Sequence, residues 1–335
     1  RFSLLKKLIK KNKNNYDCII PVSGGKDSYF QTHIIKNILK LNPLLVTYNS
    51  NNYSKEGMDN LLNMREAFGV DHIFFTASIN TIKKLNRLGM LYHGDMNWHG
   101  HAGILTYPII IATKFKIPFI IWGEHGFLEI GGMHSNDDFI EFSKRERKEL
   151  GIHNLDWDDF LKISKKYGEN LKKNNLFPFM YPTDDKISQI NLRGIYLSNY
   201  IKWDPIKNTQ LMIKKYGFKV SKKKFQRTYR KASNLDDVHE NGIHDYMKYI
   251  KFGFGRCSDH ATKDIRLNKL TKKKGLNLVK QLDHIVPSDL YRWLKYVGWS
   301  KDKFFQIADT FRDPNVWWIK NGYWYKKCAW GKEEK

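Results

Sequence analysis

Residues 21–28 read PVSGGKDS and directly follow the apolar run DCII. The adjacent Gly24 and Gly25 let the backbone turn tightly and approach a ligand closely, because neither carries a Cβ atom. Amides at the start of a following helix would point at the same place, and the hydroxyls of Ser23 and Ser28 can donate hydrogen bonds there. These residue types in this order predict a site for an anion with several oxygens.

Lys26 and Asp27 complete this stretch. Lys26 can add a mobile positive charge to an anion site. Asp27 fits beside phosphate if it holds Mg²⁺, which binds carboxylate and phosphate oxygens together. The residues alone also leave open an ordinary strand–helix turn in which an Asp or a Ser caps the helix.

The elements around this stretch predict an α/β fold. Helical periodicity separates short apolar strands, for example in SYFQTHIIKNILKL, where Phe30, Ile34, Ile38 and Leu41 recur at steps of three and four. Such alternation predicts a parallel sheet covered on both faces. Ligands bind outside the carboxyl ends of the strands in these sheets, where SGGKDS lies. The predicted strands are DCIIPV (17–22), PLLVTYN (43–49), DHIFFTA (71–77) and PFIIWG (118–123).

The second part of the chain has a different texture. We predict an α/β domain over residues 1–135 and a largely helical region over 136–335, which can return strands to the sheet. The strongly basic run KVSKKKFQRTYRK (219–231) fits nucleic-acid contacts, a solvated helix face or a linker.

Composition limits the class of protein. The net charge of +24 implies affinity for anions, although much of the lysine can be solvated surface. The longest apolar runs, such as YPIIIA (107–112), are strand-sized, so no membrane span is predicted. Three widely spaced cysteines without a CxxC pair argue against disulfides and cysteine zinc sites and favour a cytoplasmic location.

SGGKDS resembles the SGGxDS pyrophosphate loop of the PP-loop ATPases, whose domain is of the adenine nucleotide alpha hydrolase type. Residues 99–126, 196–204 and 251–266 look like segments of the N-acetyl sugar amidotransferases within that superfamily, and the likeness covers nearly the whole chain. Two features depart from the family: no cysteine-rich segment opens this sequence, and HGDMNWHGH (93–101) stands where many members carry cysteines.

The resemblance implies an ATP-dependent ligase that requires Mg²⁺. It would transfer AMP to the acetamide oxygen of a nucleotide-linked or acidic N-acetyl sugar, and ammonia would then replace that oxygen to give an acetamidino group. The products would serve surface polysaccharides or flagellar glycans. The sequence has no glutaminase signature, so ammonia would come from glutaminase and cyclase subunits resembling those of histidine biosynthesis.

The resemblance also implies which residues form the nucleotide site. Glu124, in WGEHG after the fourth strand, could ligate Mg²⁺ with Asp27 or bind ribose. His125 could accept a proton from ammonia, or could be a capping or core histidine. Tyr48 and Asn49 end the second strand where adenine or ribose would lie, or are plain turn residues. The catalytic set is Asp27, Lys26, Glu124 and His125, and the nucleotide-binding set is Ser23, Gly24, Gly25, Asp27, Ser28, Tyr48, Asn49 and Gly123.

The expected sugar contacts are His101, Trp203, Asp204, Arg256, Asp259 and His260. The Arg256 fork suits a phosphate or carboxylate, although its segment also reads as a helix start capped by Ser258 or Asp259. Trp203 and Asp204 suit sugar recognition or a loop anchor.

Neither a zinc site nor a cysteine nucleophile is predicted. His93, His99 and His101 do not show the HxxxH or HxxEH spacing by which a helix binds zinc. Cys257 lacks a paired base, so we reject it as a nucleophile.

Two other function classes compete with the amidotransferase. A tRNA-modifying PP-loop enzyme of the thiolating or lysidine-forming type fits the loop and the charge, but the cysteines that thiolation typically uses are missing and nucleic acid is not expected. A nucleotide sensor without catalysis has little need of the Asp in the loop.

Overall fold

The computed structural model describes residues 2–9, 11–12, 15–124, 141–233, 235, 238–328 and 333–334. The chain divides into two units. His125 and the predicted domain boundary near residue 135 lie outside the described residues, so both stay predictions. The first unit contains Arg1–Ile82, Trp98–Ser221 and Ala232–Asp237, and the second contains Lys83–Asn97, Lys222–Lys231 and Val238–Lys335.

Five parallel strands form the sheet of the first unit, in the order β3-β2-β1-β4-β5. The four strands predicted from apolar runs are confirmed, and PLLVTYN coincides with β2. The fifth strand returns to the sheet from the later part of the chain. The α/β fold class with a parallel sheet is therefore confirmed. The strands are β1 (Cys18–Pro21), β2 (Pro43–Asn49), β3 (His72–Thr76), β4 (Phe119–Trp122) and β5 (Arg193–Tyr196).

Helices cover this sheet, as the alternating pattern predicts. The apolar helix α5 packs against β1, β2 and β4, and α2 packs against α9. The helices of the first unit are α1 (Phe2–Leu8), α2 (Lys26–Thr32), α3 (Lys55–Phe68), α5 (Trp98–Phe115), α6 (Trp157–Lys166), α7 (Lys173–Leu176), α8 (Asp184–Gln189) and α9 (Pro205–Tyr216). Helix α4 (Ile79–His93) begins in the first unit, and most of its residues belong to the second. Short π-helical segments span His33–Ile38 and Glu146–Gly151, and 3₁₀ turns span Phe177–Phe179 and Leu197–Asn199.

The helix after the SGGKDS loop changes its geometry halfway along. Helix α2 continues directly into the π-helix His33–Ile38, which has more residues per turn than an α-helix. Ile35 and Leu39 are therefore buried, whereas Ile38 is 48% exposed. The expectation that Ile38 belongs to the apolar stripe is wrong, because the stripe assumed an α-helical period throughout.

The second unit is largely helical, as predicted for this region, and has its own core. Helices α10, α13 and α14 enclose a cluster that includes Ile243, Met247, Trp293, Phe304 and Trp317. The helices are α10 (Val238–Phe252), α11 (Arg256–Arg266), α12 (Lys272–Leu282), α13 (Asp289–Val297) and α14 (Lys301–Asp309). An antiparallel sheet follows, formed by β6 (Trp317–Lys320), β7 (Tyr323–Lys327) and β8 (Glu333–Glu334).

Within the described residues, no helix is both long enough and apolar enough to span a membrane.

Candidate functional site

The SGGKDS loop lies between the carboxyl end of the central strand β1 and the start of α2. Gly24 has φ +74°, a conformation that L side chains rarely adopt. A Cβ atom there would come within 2.7 Å of the Leu61 backbone in α3. At Gly25 the nearest atom to such a Cβ would be Ser23 Oγ, at 3.3 Å. The first glycine is thus required by packing, and a side chain at the second would lie tightly against the Ser23 hydroxyl.

The start of α2 differs from an ordinary capped helix. Gly25 is its N-cap residue, and no described side chain accepts a capping hydrogen bond there. Ser28 is buried and its hydroxyl accepts a hydrogen bond from the Ser23 amide at 2.9 Å. The N-cap position is therefore occupied by glycine and not by Asp or Ser, while the Ser23 hydroxyl accepts a hydrogen bond from the Gly25 amide at 3.4 Å. The first amides of a helix have no partner within the helix, so this N-terminus can bind an anion.

Asp27 is the residue of the loop on which other side chains converge. Its carboxylate forms an ion pair with Lys26. The Trp203 indole donates a hydrogen bond to Asp27 Oδ1 at 3.2 Å and packs edge-on against Phe30, with the ring centroids 5.2 Å apart. The structure thus brings Trp203 together with the loop, although 176 positions separate it from Asp27.

Asp204 has a different position from its neighbour Trp203. It is buried, and its Oδ1 atom accepts hydrogen bonds from the amides of Ile206 and Lys207, each at 3.1 Å. It is therefore the N-cap of α9, immediately before Pro205. The loop-anchor interpretation describes this contact, and sugar binding by Asp204 stays a prediction.

Gly123 directly follows the neighbouring strand β4 at the same edge of the sheet. A Cβ atom there would lie 2.9 Å from Gln31 Oε1 and 3.3 Å from the Trp203 ring, so glycine permits this close approach. Gln31 donates a hydrogen bond to the Ile121 carbonyl at 2.7 Å, which ties α2 to β4. Glu124 follows directly and is half-buried.

Asn49 and Tyr48 point to opposite sides of β2, as successive strand residues must. Asn49 lines an open cleft of about 390 Å³ with Asn51, Ser54 and Asp59. Tyr48 is buried, and its hydroxyl lies 3.0 Å from His99 Nδ1. The cleft gives Asn49 a place at the edge of the sheet where ligands bind, whereas Tyr48 belongs to the core of the unit.

The remaining expected sugar contacts have these positions. His101 lies half-buried in the first turn of α5, in the first unit. Arg256, Asp259 and His260 belong to α11 in the second unit. The Arg256 guanidinium donates to the buried Asp245 at 2.9 Å and to the Asn241 amide oxygen at 3.2 Å.

Asp259 and His260 also contact partners within the second unit. Both Asp259 oxygens accept from Lys248 Nζ, at 2.9 and 2.7 Å. Burial raises the pKa of Asp259, and the Lys248 charge opposes this shift. His260 Nδ1 lies 2.6 Å from Thr228 Oγ1. Their roles as sugar contacts stay predictions.

The N-terminus of helix α11 is bound by Asp283, a distant residue. The N-cap position itself is occupied by Gly255, so the alternative of a cap by Ser258 or Asp259 is wrong. Asp283 is buried and accepts hydrogen bonds from the amides of Gly255, Cys257 and Ser258 at 2.9, 2.9 and 3.3 Å. It also accepts from Ser258 Oγ at 2.6 Å. A carboxylate from the chain itself thus occupies this helix N-terminus.

Cys257 is fully buried beside Asp283. Burial, and then the Asp283 charge, raise the pKa of the Cys257 thiol to about 12. The thiolate is therefore scarce at neutral pH, which supports the rejection of Cys257 as a nucleophile.

The basic run 219–231 is neither a helix nor a fully solvated segment. Arg227 is 3% exposed and donates to the backbone carbonyls of Asp245 and Asp283 at 3.1 and 2.7 Å. Tyr229 donates to Asp264 at 2.5 Å, and Arg230 pairs with the same carboxylate. Part of this run is therefore a structural anchor of the second unit.

Sequence reasoning missed Gln31 and Asp283. Gln31 lies four positions after Asp27 and so shares its helix face, which is a usable signal. Asp283 reaches α11 from 26 positions beyond Cys257, and no local pattern predicts that contact.

Comparison with known proteins adds an observation on the second unit. Residues 214–329 match the family described as "LPS biosynthesis protein WbpG-like, C-terminal domain". The match supports an LPS or sugar biosynthesis family. It covers about a third of this chain and includes most of the second unit.

A second similarity is more limited. A protein of Methanocaldococcus jannaschii, described as "Uncharacterized protein MJ1599", is 40% identical over 63 residues. These residues make up 19% of this chain and 23% of the relative's length, so the similarity spans about a quarter of that protein.

Proposed function

We propose that this chain is an ATP-dependent amidotransferase that forms AMP and pyrophosphate and converts the acetamido group of an N-acetyl sugar into an acetamidino group. The observation that carries the proposal is the SGGKDS loop at the carboxyl end of β1, entering a helix whose N-terminus no described side chain caps. The similarity of residues 214–329 to an LPS biosynthesis domain supports a sugar substrate.

The loop fits a pyrophosphate group in its shape and its donors. Gly25 carries no side chain that could cover the backbone, and the first amides of α2 point outward from the helix N-terminus. Lys26 supplies a positive charge within reach of Asp27. An ATP whose phosphates lay on this loop would extend along the sheet edge, where Asn49 and the cleft of about 390 Å³ could receive its nucleoside.

The Asp27 carboxylate fits a Mg²⁺ ion by its chemistry and exposure. Its side chain is 34% exposed, so it can bind both an ion and a ligand oxygen. Glu124, half-buried after β4, is the second candidate ligand. When bound, Mg²⁺ would neutralise charge on the pyrophosphate that leaves. Trp203 would hold Asp27 in position through its hydrogen bond to Oδ1.

The proposed reaction needs no protein nucleophile. The acetamide oxygen attacks the α-phosphorus of ATP, and pyrophosphate leaves. Ammonia then attacks the activated carbon, AMP leaves with the former acetamide oxygen, and an amidine results. The protein must position the reactants and stabilise developing charge, which the loop and its ion can supply. The proposed proton acceptor is His125. The proposed sugar contacts include His101, Arg256, Asp259 and His260.

Pyrophosphate release tests the proposal directly. The purified chain receives ATP, Mg²⁺ and ammonium chloride, and parallel reactions contain nucleotide-linked N-acetyl sugars, free acidic N-acetyl sugars or bulk tRNA. We expect release that depends on a sugar, with a product lighter than the substrate because NH replaces O. Release that depends only on tRNA would overturn the proposal and favour a tRNA-modifying enzyme.

A further inference from the structure

Strand β3 lies at one edge of the parallel sheet in the first unit and pairs with β2. The Leu45 amide of β2 donates to the Asp71 carbonyl at 3.0 Å, and every second residue of β3 continues this ladder. The alternate residues of β3 therefore direct their backbone N–H and C=O groups away from the sheet. Among the described residues, none forms a hydrogen bond with these outward backbone groups. The residues of this β3 edge are His72, Phe74 and Thr76.

The opposite edge of the same sheet is covered by the chain itself. The Phe142 amide donates to the Gly194 carbonyl of β5 at 2.8 Å, and Glu141 forms an antiparallel bridge with Ile195. Glu141 also forms an ion pair with Arg193 of β5. Proteins usually cover or charge the edges of their sheets, because an unpaired strand readily binds another strand. The β3 edge differs from its counterpart in being available to a partner strand.

The charge around β3 limits the kind of partner. Residues 67–82 (AFGVDHIFFTASINTI) contain one carboxylate, that of Asp71, and neither Lys nor Arg, although the whole chain has 58 Lys and Arg residues and a net charge of +24. Lys, Glu and Pro, which commonly block an edge strand, do not occur in 72–76. Two copies of this nearly neutral edge can approach each other with little like-charge repulsion, whereas a strongly acidic partner gains nothing from it.

The outward backbone groups are arranged symmetrically about Phe74. A twofold axis at this residue would place Phe74 opposite its own copy, and His72 opposite Thr76 of the second copy, in an antiparallel pair. Each of these three residue pairs exchanges two N–H···O bonds, so six backbone hydrogen bonds can form. The Phe74 side chain is 40% exposed, and aromatic rings that face each other across antiparallel strands stabilise the pairing.

We propose that the β3 edge is a self-association surface, on which a second copy of this chain adds its own β3 in antiparallel orientation. The two five-stranded sheets would then form one continuous sheet of ten strands. The proposal does not depend on the amidotransferase activity, since it concerns the backbone and the neutral side chains of β3.

The number of hydrogen bonds indicates how strong this association is. Protein interfaces carry about one hydrogen bond per 100–200 Å², so six bonds correspond to roughly 600–1,200 Å² of buried surface. Stable, specific interfaces bury at least about 1,200 Å². The exposed side chains of Phe74 and of Ile79, just after the strand, add apolar area. We therefore expect a reversible dimer with a dissociation constant on the order of micromolar.

Sedimentation equilibrium of the full chain tests this association between about 1 and 200 µM, in about 0.3 M sodium chloride to screen the net charge. Hydrogen exchange measured by mass spectrometry at both ends of this range locates the surface. We expect a monomer–dimer equilibrium, with slower exchange in peptides from 71–77 at high concentration. A monomer throughout the range, or a dimer without protection of 71–77, would overturn the proposal.

Substitution of Phe74 tests the register of the pairing. Phe74→Lys places two ammonium groups opposite each other on the twofold axis, and we expect the dissociation constant to rise about 100-fold or more. Circular dichroism checks that the variant is folded. Mixing Phe74→Lys with Phe74→Asp should restore association as a heterodimer, because this register places residue 74 opposite itself. Two folded variants that do not associate when mixed would contradict this register.

Ile319→Lys is the matched control, because Ile319 is a 63% exposed apolar residue on β6, an edge strand of the second unit's sheet. It adds the same charge as Phe74→Lys and should leave the dissociation constant unchanged. Equal loss of the dimer in both variants would refute the β3 edge as the specific surface.

Discussion

Gly24 is the residue that the fold constrains most within the SGGKDS loop. Its positive φ and the Leu61 backbone each exclude a side chain. Gly69 also has a positive φ, of +57°, but nothing lies within 4 Å of the position that a Cβ atom would take there. Comparing a substitution at Gly24 with the same substitution at Gly69 therefore separates the cost of backbone conformation from the cost of a steric clash.

We expect Gly24→Ala to lower the free energy of unfolding more than Gly69→Ala. Both changes incur the left-handed conformation, which costs roughly 1–2 kcal/mol. Gly24→Ala adds overpacking against α3, typically about 1–3 kcal/mol. Urea denaturation of the two variants measures the difference. Equal losses would mean that the Leu61 contact relaxes at no cost.

Asp27 is the residue on which the proposed chemistry depends most. We expect Asp27→Asn to reduce sugar-dependent pyrophosphate release by about 100-fold or more, because an amide is a far weaker Mg²⁺ ligand than a carboxylate. Steady-state pyrophosphate assays measure the effect. Stability should change by less than about 1 kcal/mol, since the ion pair with Lys26 is partly exposed.

Asp185→Asn provides the control for that substitution, because Asp185 is exposed on α8 and away from the loop. It should leave the rate unchanged. If Asp27→Asn were as active as the control, Asp27 would not be a metal ligand in the reaction.

At the scale of elements, Asp204 connects the segment that carries Trp203 to helix α9. Its two bonds to first-turn amides are of the kind that asparagine makes equally well, whereas alanine makes neither. The pair of substitutions can therefore separate a capping role from sugar binding by the charge.

We expect Asp204→Ala to destabilise the protein by about 1 kcal/mol and Asp204→Asn to leave stability nearly unchanged. Thermal denaturation measures both stability effects, and the KM for the sugar tests whether the Asp204 carboxylate binds the substrate. A large rise in KM for Asp204→Asn, with normal stability, would establish that the carboxylate binds sugar as well as capping the helix.

His72 links β3 to β2 at the level of the sheet. Its Nε2 atom lies 2.8 Å from Thr47 Oγ1, which donates to the Val22 carbonyl, so the imidazole must be the donor to Thr47. Burial, and then the Arg65 charge, lower the pKa of His72 to about 4. The folded protein therefore keeps this imidazole neutral at pH values where the unfolded chain binds a proton.

Stability should consequently fall as the pH drops from about 6.5 towards 4, because the unfolded state takes up the proton first. The loss from this group reaches at most about 3 kcal/mol. Urea denaturation of the parent and of His72→Asn between about pH 7 and 5 measures it. An identical pH dependence in both proteins would contradict the assignment of the loss to His72.

The sequence predicts the elements better than their contacts. Strand bounds follow from local apolar runs, so PLLVTYN could be delimited from the sequence. The meeting of Trp203 with Asp27, and of Asp283 with α11, depends on distant chain segments and has no local signal. The hairpin of β6 and β7 does have a local signal, the dipeptide Asn321-Gly322. Both residues have positive φ, as a type I′ turn requires.

At the scale of the whole molecule, the proposed reaction needs a source of nitrogen. Cys18, Cys257 and Cys328 are all buried. Burial raises the pKa of Cys18 as well as that of Cys257. None of these thiols suits the attack on glutamine that a glutaminase requires.

We therefore expect the purified chain to use ammonium but not glutamine as the nitrogen donor. Replacing ammonium chloride by glutamine should abolish amidine formation, as followed by mass spectrometry of the sugar. Adding a glutaminase subunit should restore it. Glutamine-dependent product from the purified chain alone would contradict this expectation.

The π-helical stretch His33–Ile38 also bears on how such chains can vary in length. A π turn holds an additional residue compared with an α turn, so deleting one residue there can restore α-helical hydrogen bonding in nearly the same space. The SGGKDS loop before it and β2 after it would keep their places. Insertions and deletions of one residue between relatives are therefore expected within 33–38, and scanning single deletions along α2 would reveal this tolerance as a narrow window of retained folding.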